Sequence, residues 1–579
     1  MPDAAPFPTL FTIRIRISRW WLLLPVTACL LIILGCTLYL RHSYNHLKDW
    51  YLGLFPCIYR AWDWPQAFFT PAVKSVGNRY CLAAMVLAGF LLIYFLGHFI
   101  RDKTAKTWSF SLQRLDAPYM AALYLFGLAI WLYGFLSCVP AYDEVFSAVN
   151  CAGMHPFQTA SYYMLPNNHI FFNVLNSILG AFIHNKLLTG RIISGLAFAA
   201  LIPLLYYWLR SKTNSRPVAL LFCMVMMLQF PVWGFAFQGR GYSLYLLCAW
   251  ASFIFLQRYL QTGRRAPLVA HSIAVIIGFW TVPTFLFWEC ALAVYLLLRM
   301  LSRRRPDWPA IRAQLLAGAC VFLALLPVFC FSGTAALMEN RYVRADKVSV
   351  IQHWPGFRNA FWTTIQYCFS GSVEARNLSY LILFLLPLAI LPFIRKSRSA
   401  GSVGYYVILW LVFCALEFYM QRFPFQRNLT AHYSLTLAAL LLACHSLLYK
   451  ILGERWRAGQ LILTGLCCAA FVVHFARFNR DHIHNSLYFY AADTRYRTLH
   501  DAVMTLPAGS RVGVSDEGFY WEFLCQQRGL EASMCMGPSA THYIKDETET
   551  LPDYLVGRVE KIKQADEYEI YKVNRPPAQ

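Results

Sequence analysis

The chain has 579 residues, of which 58% are hydrophobic and only 14% are charged, whereas soluble domains carry about 25% charged residues. With a mean hydropathy of +0.44, this composition excludes an ordinary soluble globular protein and predicts a membrane protein. The formal net charge of +22 comes largely from short basic segments between apolar runs, so no nucleic-acid partner is expected.

Apolar runs long enough to cross a bilayer recur from Trp20 to Phe475. They predict a polytopic α-helical membrane protein with about 13 transmembrane helices. The first run exceeds the apolar region of a signal peptide, so an uncleaved first span is expected. The predicted spans are 20–40, 80–100, 118–140, 190–209, 217–234, 241–258, 267–282, 284–300, 312–331, 378–394, 402–420, 430–449 and 460–477.

Basic residues mark alternate connections between these spans. Examples are Arg101/Lys103/Lys106, Arg210/Lys212/Arg216 and Arg303/Arg304/Arg305. Because short cytoplasmic loops are enriched in Lys and Arg, these connections are expected in the cytoplasm. With an odd number of spans, the opposite loops and the C-terminus would face the periplasm or cell exterior. An integral protein of the bacterial inner membrane is therefore expected.

The spans divide the chain into three regions. Residues 1–115 contain two spans and are expected to form an N-terminal accessory transmembrane region. Residues 116–478 form the transmembrane core, with two long outer loops, 141–189 and 332–377. In the first loop, His169–Leu188 is amphipathic and predicts an interfacial helix.

Residues 479–579 lack hydrophobic runs and predict a small extracytoplasmic α/β domain. Arg511–Val514 and Tyr568–Val573 have strand patterns, and Tyr496–Met504 and Tyr520–Gln527 have helical ones. Cys525 and Cys535 lie in this domain, where they could form a disulfide or remain free thiols.

Two adjacent carboxylates, Asp143 and Glu144, follow the apolar run Met120–Pro140. Carboxylates at membrane depth are costly without a role or a partner. A base at the membrane surface, activating an acceptor against a lipid-borne donor, fits this position. The alternative is that the pair caps an interfacial helix.

Four sequence motifs are expected on this same side of the membrane. They are Tyr142-Asp143-Glu144, Asn167-Asn168-His169-Ile170-Phe171-Phe172, Gln238-Gly239-Arg240-Gly241-Tyr242-Ser243-Leu244 and Gln426-Arg427-Asn428-Leu429. In order and sidedness the chain resembles the C-type (GT-C) superfamily of integral-membrane glycosyltransferases. It is most similar to family 39-like members, which include protein O-mannosyltransferases and the aminoarabinose transferase of lipid A.

The resemblance implies a GT-C fold and an inverting transfer of one sugar from a polyprenyl-phosphate donor to a lipid, glycan or protein acceptor. It implies that Asp143 is the catalytic base, with Glu144 orienting Asp143 or binding a cation. The candidate ligands of the donor and its phosphate are Asn168, His169, Arg240, Tyr242 and Arg427.

Each candidate ligand also has an alternative interpretation. His169 could be an interfacial histidine bonded to backbone, and Arg240 and Arg427 could extend to lipid headgroups. No cofactor is assigned; a divalent cation stays open, because some members of the superfamily use one. Two positions depart from the family pattern: Phe146 stands where some members carry Arg, and Ile170 follows His169 where proline is usual.

Other functions are compatible with the same residues. The chain lacks a GxxxxGK[ST] motif, so ATP hydrolysis is not expected. A transporter or flippase of lipid-linked sugars would use the same cavity and cations without chemistry. A glycan ligase or polymerase is a third alternative.

Overall fold

The computed structural model describes residues 9–17, 19–54, 68–101, 106–163, 168–183, 185–338, 354–369, 378–420, 423–453, 456–485, 500–515, 519–533, 536–565 and 568–574. Most of them are helical. The helices in chain order are α1 (Leu23–Arg41), α2 (Tyr44–Gly53), α3 (Pro71–Arg101), α4 (Ala117–Ser137), α5 (Tyr142–Phe146), α6 (Pro156–Ser161), α7 (Ile170–Ile183), α8 (Lys186–Thr213), α9 (Arg216–Leu228), α10 (Phe230–Trp233), α11 (Tyr242–Thr262), α12 (Arg265–Thr281), α13 (Phe285–Arg303), α14 (Trp308–Phe331), α15 (Gly333–Met338), α16 (Trp354–Phe369), α17 (Leu378–Ile390), α18 (Ala400–Met420), α19 (Thr430–Leu452), α20 (Arg457–Asn485) and α21 (Phe519–Gln527).

Every predicted span contains a helix, which confirms a polytopic helical membrane protein. Within the described residues, 10 helices are long and apolar enough to cross a membrane. They are Trp20–Arg41, Pro71–Arg101, Arg114–Ser137, Lys186–Thr213, Tyr242–Thr262, Phe285–Arg303, Trp308–Phe331, Ala400–Met420, Gln426–Leu452 and Arg457–Arg480. The remaining predicted spans correspond to the shorter apolar helices Arg216–Leu228, Arg265–Thr281 and Leu378–Ile394, so the total number of spans stays a prediction.

The predicted span 217–234 was wrong in one respect, because the helix breaks at Gln229. Gln229 has extended ψ (128°) and lies two residues before Pro231, which has no backbone N–H to continue the helix. The Gln229 side chain instead donates to the backbone carbonyls of Cys368 and Tyr433, at 2.7 and 3.0 Å. Through these two hydrogen bonds, the end of α9 is linked to α16 and α19.

The predicted helix His169–Leu188 also differs from the structure. Helix α7 ends at Ile183, and α8 begins at Lys186. The side chain of Asn185 accepts a hydrogen bond from Leu188 N at 2.9 Å, so Asn185 is the N-cap of α8. A strong N-cap inside the predicted segment explains why one helix became two.

Helix α19 runs through the middle of the core, and every residue from Thr430 to Ala443 is buried. Buried tryptophans bond to its hydroxyls: Trp250 Nε1 donates to Ser434 at 3.0 Å, and Trp410 Nε1 donates to Thr436 at 2.9 Å. Such contacts between helices are the usual means of fixing polar groups inside a membrane bundle. The buried helix α19 thus fixes the position of the turn before it, which carries Arg427.

The N-terminal region packs against the core through α1, α2 and α3. Tyr39 donates from its hydroxyl to the Cys330 carbonyl at 2.9 Å, and Tyr51 and Ser161 share a hydrogen bond of 2.9 Å. Strands β1 (Thr9–Ile17) and β2 (Lys106–Gln113) form a separate antiparallel pair. The N-terminal helices thus contact the short helix α6, which lies between the first two sequence motifs.

The C-terminal region contains a five-stranded mixed sheet, which confirms the predicted α/β domain. Its strands are β3 (Arg511–Val514), β4 (Glu531–Ser533), β5 (His542–Asp546), β6 (Val559–Ala565) and β7 (Tyr568–Val573), in the order β4-β3-β5-β7-β6. Strand β3 is parallel to β4 and β5, and β7 is antiparallel to β5 and β6.

Both strands predicted in this domain are confirmed at their predicted bounds. Helix α21 begins one residue before its prediction, and the other predicted helix is present over 500–504, with 496–499 outside the described residues. Cys535 also lies outside them, so the Cys525–Cys535 pairing stays open.

Candidate active site

Asp143 is the centre of an ionic cluster formed by three distant parts of the chain. Its Oδ2 accepts hydrogen bonds from Nη1 of Arg240 at 2.6 Å and from Nη1 of Arg427 at 2.5 Å. Arg240 lies in the turn before α11, and Arg427 lies in the 3-10 turn before α19. The structure therefore brings together one residue from each of three sequence motifs.

The cluster is buried on one side and open on the other. The Arg240 side chain is 3% exposed, whereas the side chains of Asp143 and Arg427 are 24% and 17% exposed. Each guanidinium also lies over an aromatic ring at 5.0 Å, Arg240 over Tyr242 and Arg427 over Phe425. Because these cation–π contacts and the Asp143 carboxylate fix both arginines, neither side chain simply extends toward the membrane surface.

Glu144 has a different environment from its neighbour Asp143. It is fully buried and forms a two-point ion pair with Arg191, with Nε–Oε1 at 2.6 Å and Nη2–Oε2 at 2.9 Å. The backbone N–H of Gly239 also donates to Oε1 at 2.6 Å. Glu144 is thus part of the support of the Arg240 turn, and its carboxylate is turned away from the exposed face of the cluster.

Arg191 was not among the residues predicted for the site. It lies within the apolar run 190–209, which was assigned to a span. The available signal was the arginine itself, because a charged residue within an apolar span needs a partner. Its partner is 47 positions away in the chain, and only the fold identifies it.

Two glycines allow the Arg240 turn to approach its neighbours closely. A Cβ on Gly239 would lie 3.1 Å from Glu144 Oε1, and one on Gly241 would lie 2.8 Å from Cβ of His169 and 2.9 Å from its Nδ1. The latter distances are too short for any side chain. Packing therefore requires glycine at 241 and leaves little room for a side chain at 239.

His169 is held by the same turn. Its Nδ1 accepts a hydrogen bond from the Gly241 N–H at 2.8 Å, and its ring contacts Tyr242 edge to face at 4.5 Å. Burial lowers the pKa of His169 well below its usual value, and the nearby Arg240 and Arg427 lower it further. A neutral ring that accepts at Nδ1 carries its proton on Nε2, so His169 can donate one hydrogen bond from Nε2.

Asn168 has a structural position. Its amide donates to the carbonyls of Thr159 and Tyr162 at 2.9 and 2.5 Å, and its oxygen accepts from Asn173 at 3.0 Å. Both ends of the side chain are therefore engaged with protein groups, and Asn168 fixes the segment after α6. This arrangement favours a positioning role over the phosphate contact that the sequence suggested.

Tyr242 begins α11 and is 1% exposed. Its ring lies against those of His169 and Phe235 at 4.5 and 4.4 Å, besides the Arg240 guanidinium. The Tyr242 ring thus packs against His169 and Arg240 and helps to fix both side chains.

A metal site is not evident among these residues. Within the described part of the chain, no group of three or more His, Cys, Asp or Glu side chains is placed to hold a metal ion. Around Asp143 and Glu144 the cations are arginines: three guanidinium groups contact the two carboxylates. In the second outer loop, residues 339–353 and 370–377 lie outside the described residues.

No protein-family model and no curated protein sequence matches the chain. The fold is similar to solved structures of ArnT from Cupriavidus metallidurans. The structure bound to undecaprenyl phosphate has 14% identity over 79% of this chain and 98% of that chain, with a TM-score of 0.41. The apo structure has 13% identity over the same shares, with a TM-score of 0.45.

A second similar structure is the archaeal oligosaccharyltransferase AglB from Archaeoglobus fulgidus, in complex with an inhibitory peptide and a dolichol-phosphate. It has 10% identity over 75% of this chain and 69% of that chain, with a TM-score of 0.41. At these TM-scores the overlap is partial, so the function is inferred from the side chains of the site.

Proposed function

We propose that the protein is a membrane glycosyltransferase that moves one sugar from a polyprenyl-phosphate donor to an acceptor hydroxyl. The observation that carries this proposal is the contact of Asp143 with both Arg240 and Arg427. A carboxylate and two guanidinium groups on one partly open surface combine a base with a binding site for a phosphate.

In the proposed reaction, Asp143 takes the proton of the acceptor hydroxyl while the acceptor oxygen forms a bond to the anomeric carbon of the sugar. The bond from that carbon to the phosphate oxygen breaks, and its electron pair passes to the polyprenyl phosphate. The developing negative charge lies beside Arg240 and Arg427, which stabilise it. A single displacement of this kind inverts the anomeric configuration.

The arginines can serve both partners because a guanidinium carries five N–H donors arranged along two edges. The contacts with Asp143 engage Nη1 of each arginine. In the proposed complex, the phosphate accepts hydrogen bonds from the two guanidinium groups while Asp143 stays beside them. His169 would add a neutral donor, Nε2–H, to the same phosphate or to a sugar hydroxyl.

Substitution of Arg240 tests the phosphate site. We expect Arg240→Ala to weaken binding of a non-hydrolysable polyprenyl-phosphate analogue by about tenfold or more, because a charge-assisted contact contributes about 1.5–3 kcal/mol. Arg240→Lys should restore only part of the affinity, because lysine keeps the charge but loses the planar fork. The measurement is analogue binding to purified protein in nanodiscs.

Arg216→Lys is the matched control, since Arg216 contacts Asp116 at 2.9 Å through Nε, outside the proposed site. Its analogue affinity should equal that of the wild type. Full recovery of affinity in Arg240→Lys would indicate that Arg240 supplies charge alone. Unchanged affinity in Arg240→Ala would place the phosphate site elsewhere.

We further propose that the site and the C-terminal domain face the periplasm or cell exterior, in the bacterial inner membrane. The alternation of basic loops supports this orientation. A reporter fused after Lys450 should be active only in the cytoplasm, and one fused after Gln579 only outside it. A cytoplasmic C-terminus would contradict the orientation and leave the proposed chemistry of Asp143 untouched.

A further inference from the structure

The helix that carries Asp143 is too short to be stable alone. Helix α5 has 5 residues and is followed by the π-helical turn Ser147–Cys151. Isolated helices shorter than about 12–15 residues are marginal in water, because the nucleating turn costs more than its few hydrogen bonds return. The position of Asp143 therefore depends on what packs against this segment, besides its contacts with Arg240 and Arg427.

The buried face of the segment belongs to the core of the C-terminal domain. Val145, Phe146, Ala148 and Cys151 form one apolar cluster with residues of that domain, which include Trp521, Leu524 and Cys525. Phe146 is 5% exposed, Cys151 2% and Trp521 1%. Helix α21 contacts α5 directly. The same hydrophobic core thus stabilises both the small sheet and the helix that carries Asp143.

Among the large side chains of this cluster, Phe146 is the nearest to Asp143 in sequence. It stands at the position where some members of the resembled family carry arginine. Phe146 is buried in the apolar cluster, and full burial of such a side chain contributes about 1.5–3 kcal/mol. Asp143 and Phe146 lie three positions apart, so a shift of the ring would be transmitted to the carboxylate within one helical turn.

A second contact region holds the end of the same loop. Met154 and Tyr162 belong to the apolar cluster of the N-terminal helices, and Tyr51 is hydrogen bonded to Ser161. The N-terminal helices therefore hold the end of the loop, and the C-terminal domain supplies the apolar packing of its start. The ion pairs of Asp143 and Glu144 hold the polar side of α5.

We propose that the C-terminal domain is a positioning element of the active site, acting on Asp143 through Trp521 and Phe146. The proposal rests on the proposed function, because it is the transfer reaction for which Asp143 is positioned. The domain needs no contact with the donor in order to act in this way.

Phe146→Ala and Trp521→Ala test the proposal through kinetics. Each should lower kcat for sugar transfer by about tenfold or more, because a displacement of about 1 Å at a reacting group can cost 10²-fold in rate. The KM for the donor should change much less, since the Arg240 turn is also held outside α5: Ser194 Oγ donates to the Arg240 carbonyl at 2.9 Å, and the Gly241 N–H donates to His169. Phe146→Leu, which keeps an apolar side chain, should recover most of the activity.

Cys151 provides a readout that does not depend on transfer. Burial raises the pKa of its thiol to about 12, against a smaller opposite effect of Arg240, and thiol reactivity requires the thiolate. Maleimide labelling of Cys151, followed by mass spectrometry of its peptide, should be slow in the wild type and severalfold faster in Phe146→Ala and Trp521→Ala. Ile562→Ala is the control within the same domain: Ile562 is 47% exposed on the edge strand β6, and this variant should match the wild type in both measurements.

Faster labelling with unchanged kcat would overturn the proposal, because the domain would then pack on the loop without positioning Asp143. Unchanged labelling would overturn it by contradicting the contact itself. If one of the two alanine variants unfolds, as proteolysis of the tail would reveal, the other supplies the same two measurements. A wild type that transfers no sugar would contradict the proposed function instead, and Cys151 labelling would still decide whether the domain holds the loop.

Discussion

Asp143→Asn should lower the rate of sugar transfer by about 10²-fold or more, the range typical for loss of a general base. Asparagine has nearly the same size and can still accept a hydrogen bond from Arg240 or Arg427, but it cannot take the proton of the acceptor. Binding of the polyprenyl-phosphate analogue should therefore largely survive. Transfer by purified protein, measured per mole of folded enzyme, checks the prediction.

The chain offers a matched control for this substitution at the start of α4. Asp116 is also buried and contacts two arginines, Arg210 and Arg216, and it accepts from the Tyr206 hydroxyl at 3.1 Å. Asp116→Asn should reduce stability but leave transfer per folded molecule close to that of the wild type. If the two variants lost activity equally, the effect of Asp143→Asn would reflect structure and not catalysis.

Removing either partner of the Glu144–Arg191 pair should have the largest effect on stability. Breaking a buried ion pair by deleting one partner costs about 3–5 kcal/mol, because the remaining charge stays buried without its counterion. Glu144→Leu should be the more damaging single change, since it also removes the acceptor for the Gly239 N–H. The measurement is thermal unfolding of each variant in the same detergent.

The double variant Glu144→Leu/Arg191→Leu separates charge from positioning. Its stability should exceed that of either single variant, because no unpaired charge remains. Its transfer activity should stay low, because the turn that carries Arg240 still lacks its anchor. Single variants as stable as the wild type would contradict the buried pair, and an active double variant would contradict its role in supporting Arg240.

The parts of the fold that the sequence predicted are those decided by local pattern. Hydropathy identified the helices because about 20 apolar residues can satisfy their backbone groups in a bilayer only as a helix. Strands Arg511–Val514 and Tyr568–Val573 were predicted because β-forming residues lie between turn residues. The errors arose at Gln229 and Asn185, where a single side chain ends or begins a helix within an apolar run.

The site depends on contacts between distant segments. The four motifs indicated which residues to expect, yet Asp143 and Arg427 are 284 positions apart, and helix packing alone brings them into contact. The same reason explains why Arg191 was missed and why Glu144 has a different environment from Asp143. Adjacent carboxylates point to different sides of a helical turn, and the sequence does not say which side is open.

The fate of the donor lipid tests the central claim most directly. Wild-type protein in proteoliposomes should release one polyprenyl phosphate for each sugar that appears on the acceptor, and the Asp143→Asn variant should release almost none. That result would establish bond cleavage at the proposed site and exclude simple transport. Movement of the intact donor across the bilayer without release of polyprenyl phosphate, unaffected by Asp143→Asn, would contradict the account and indicate a flippase.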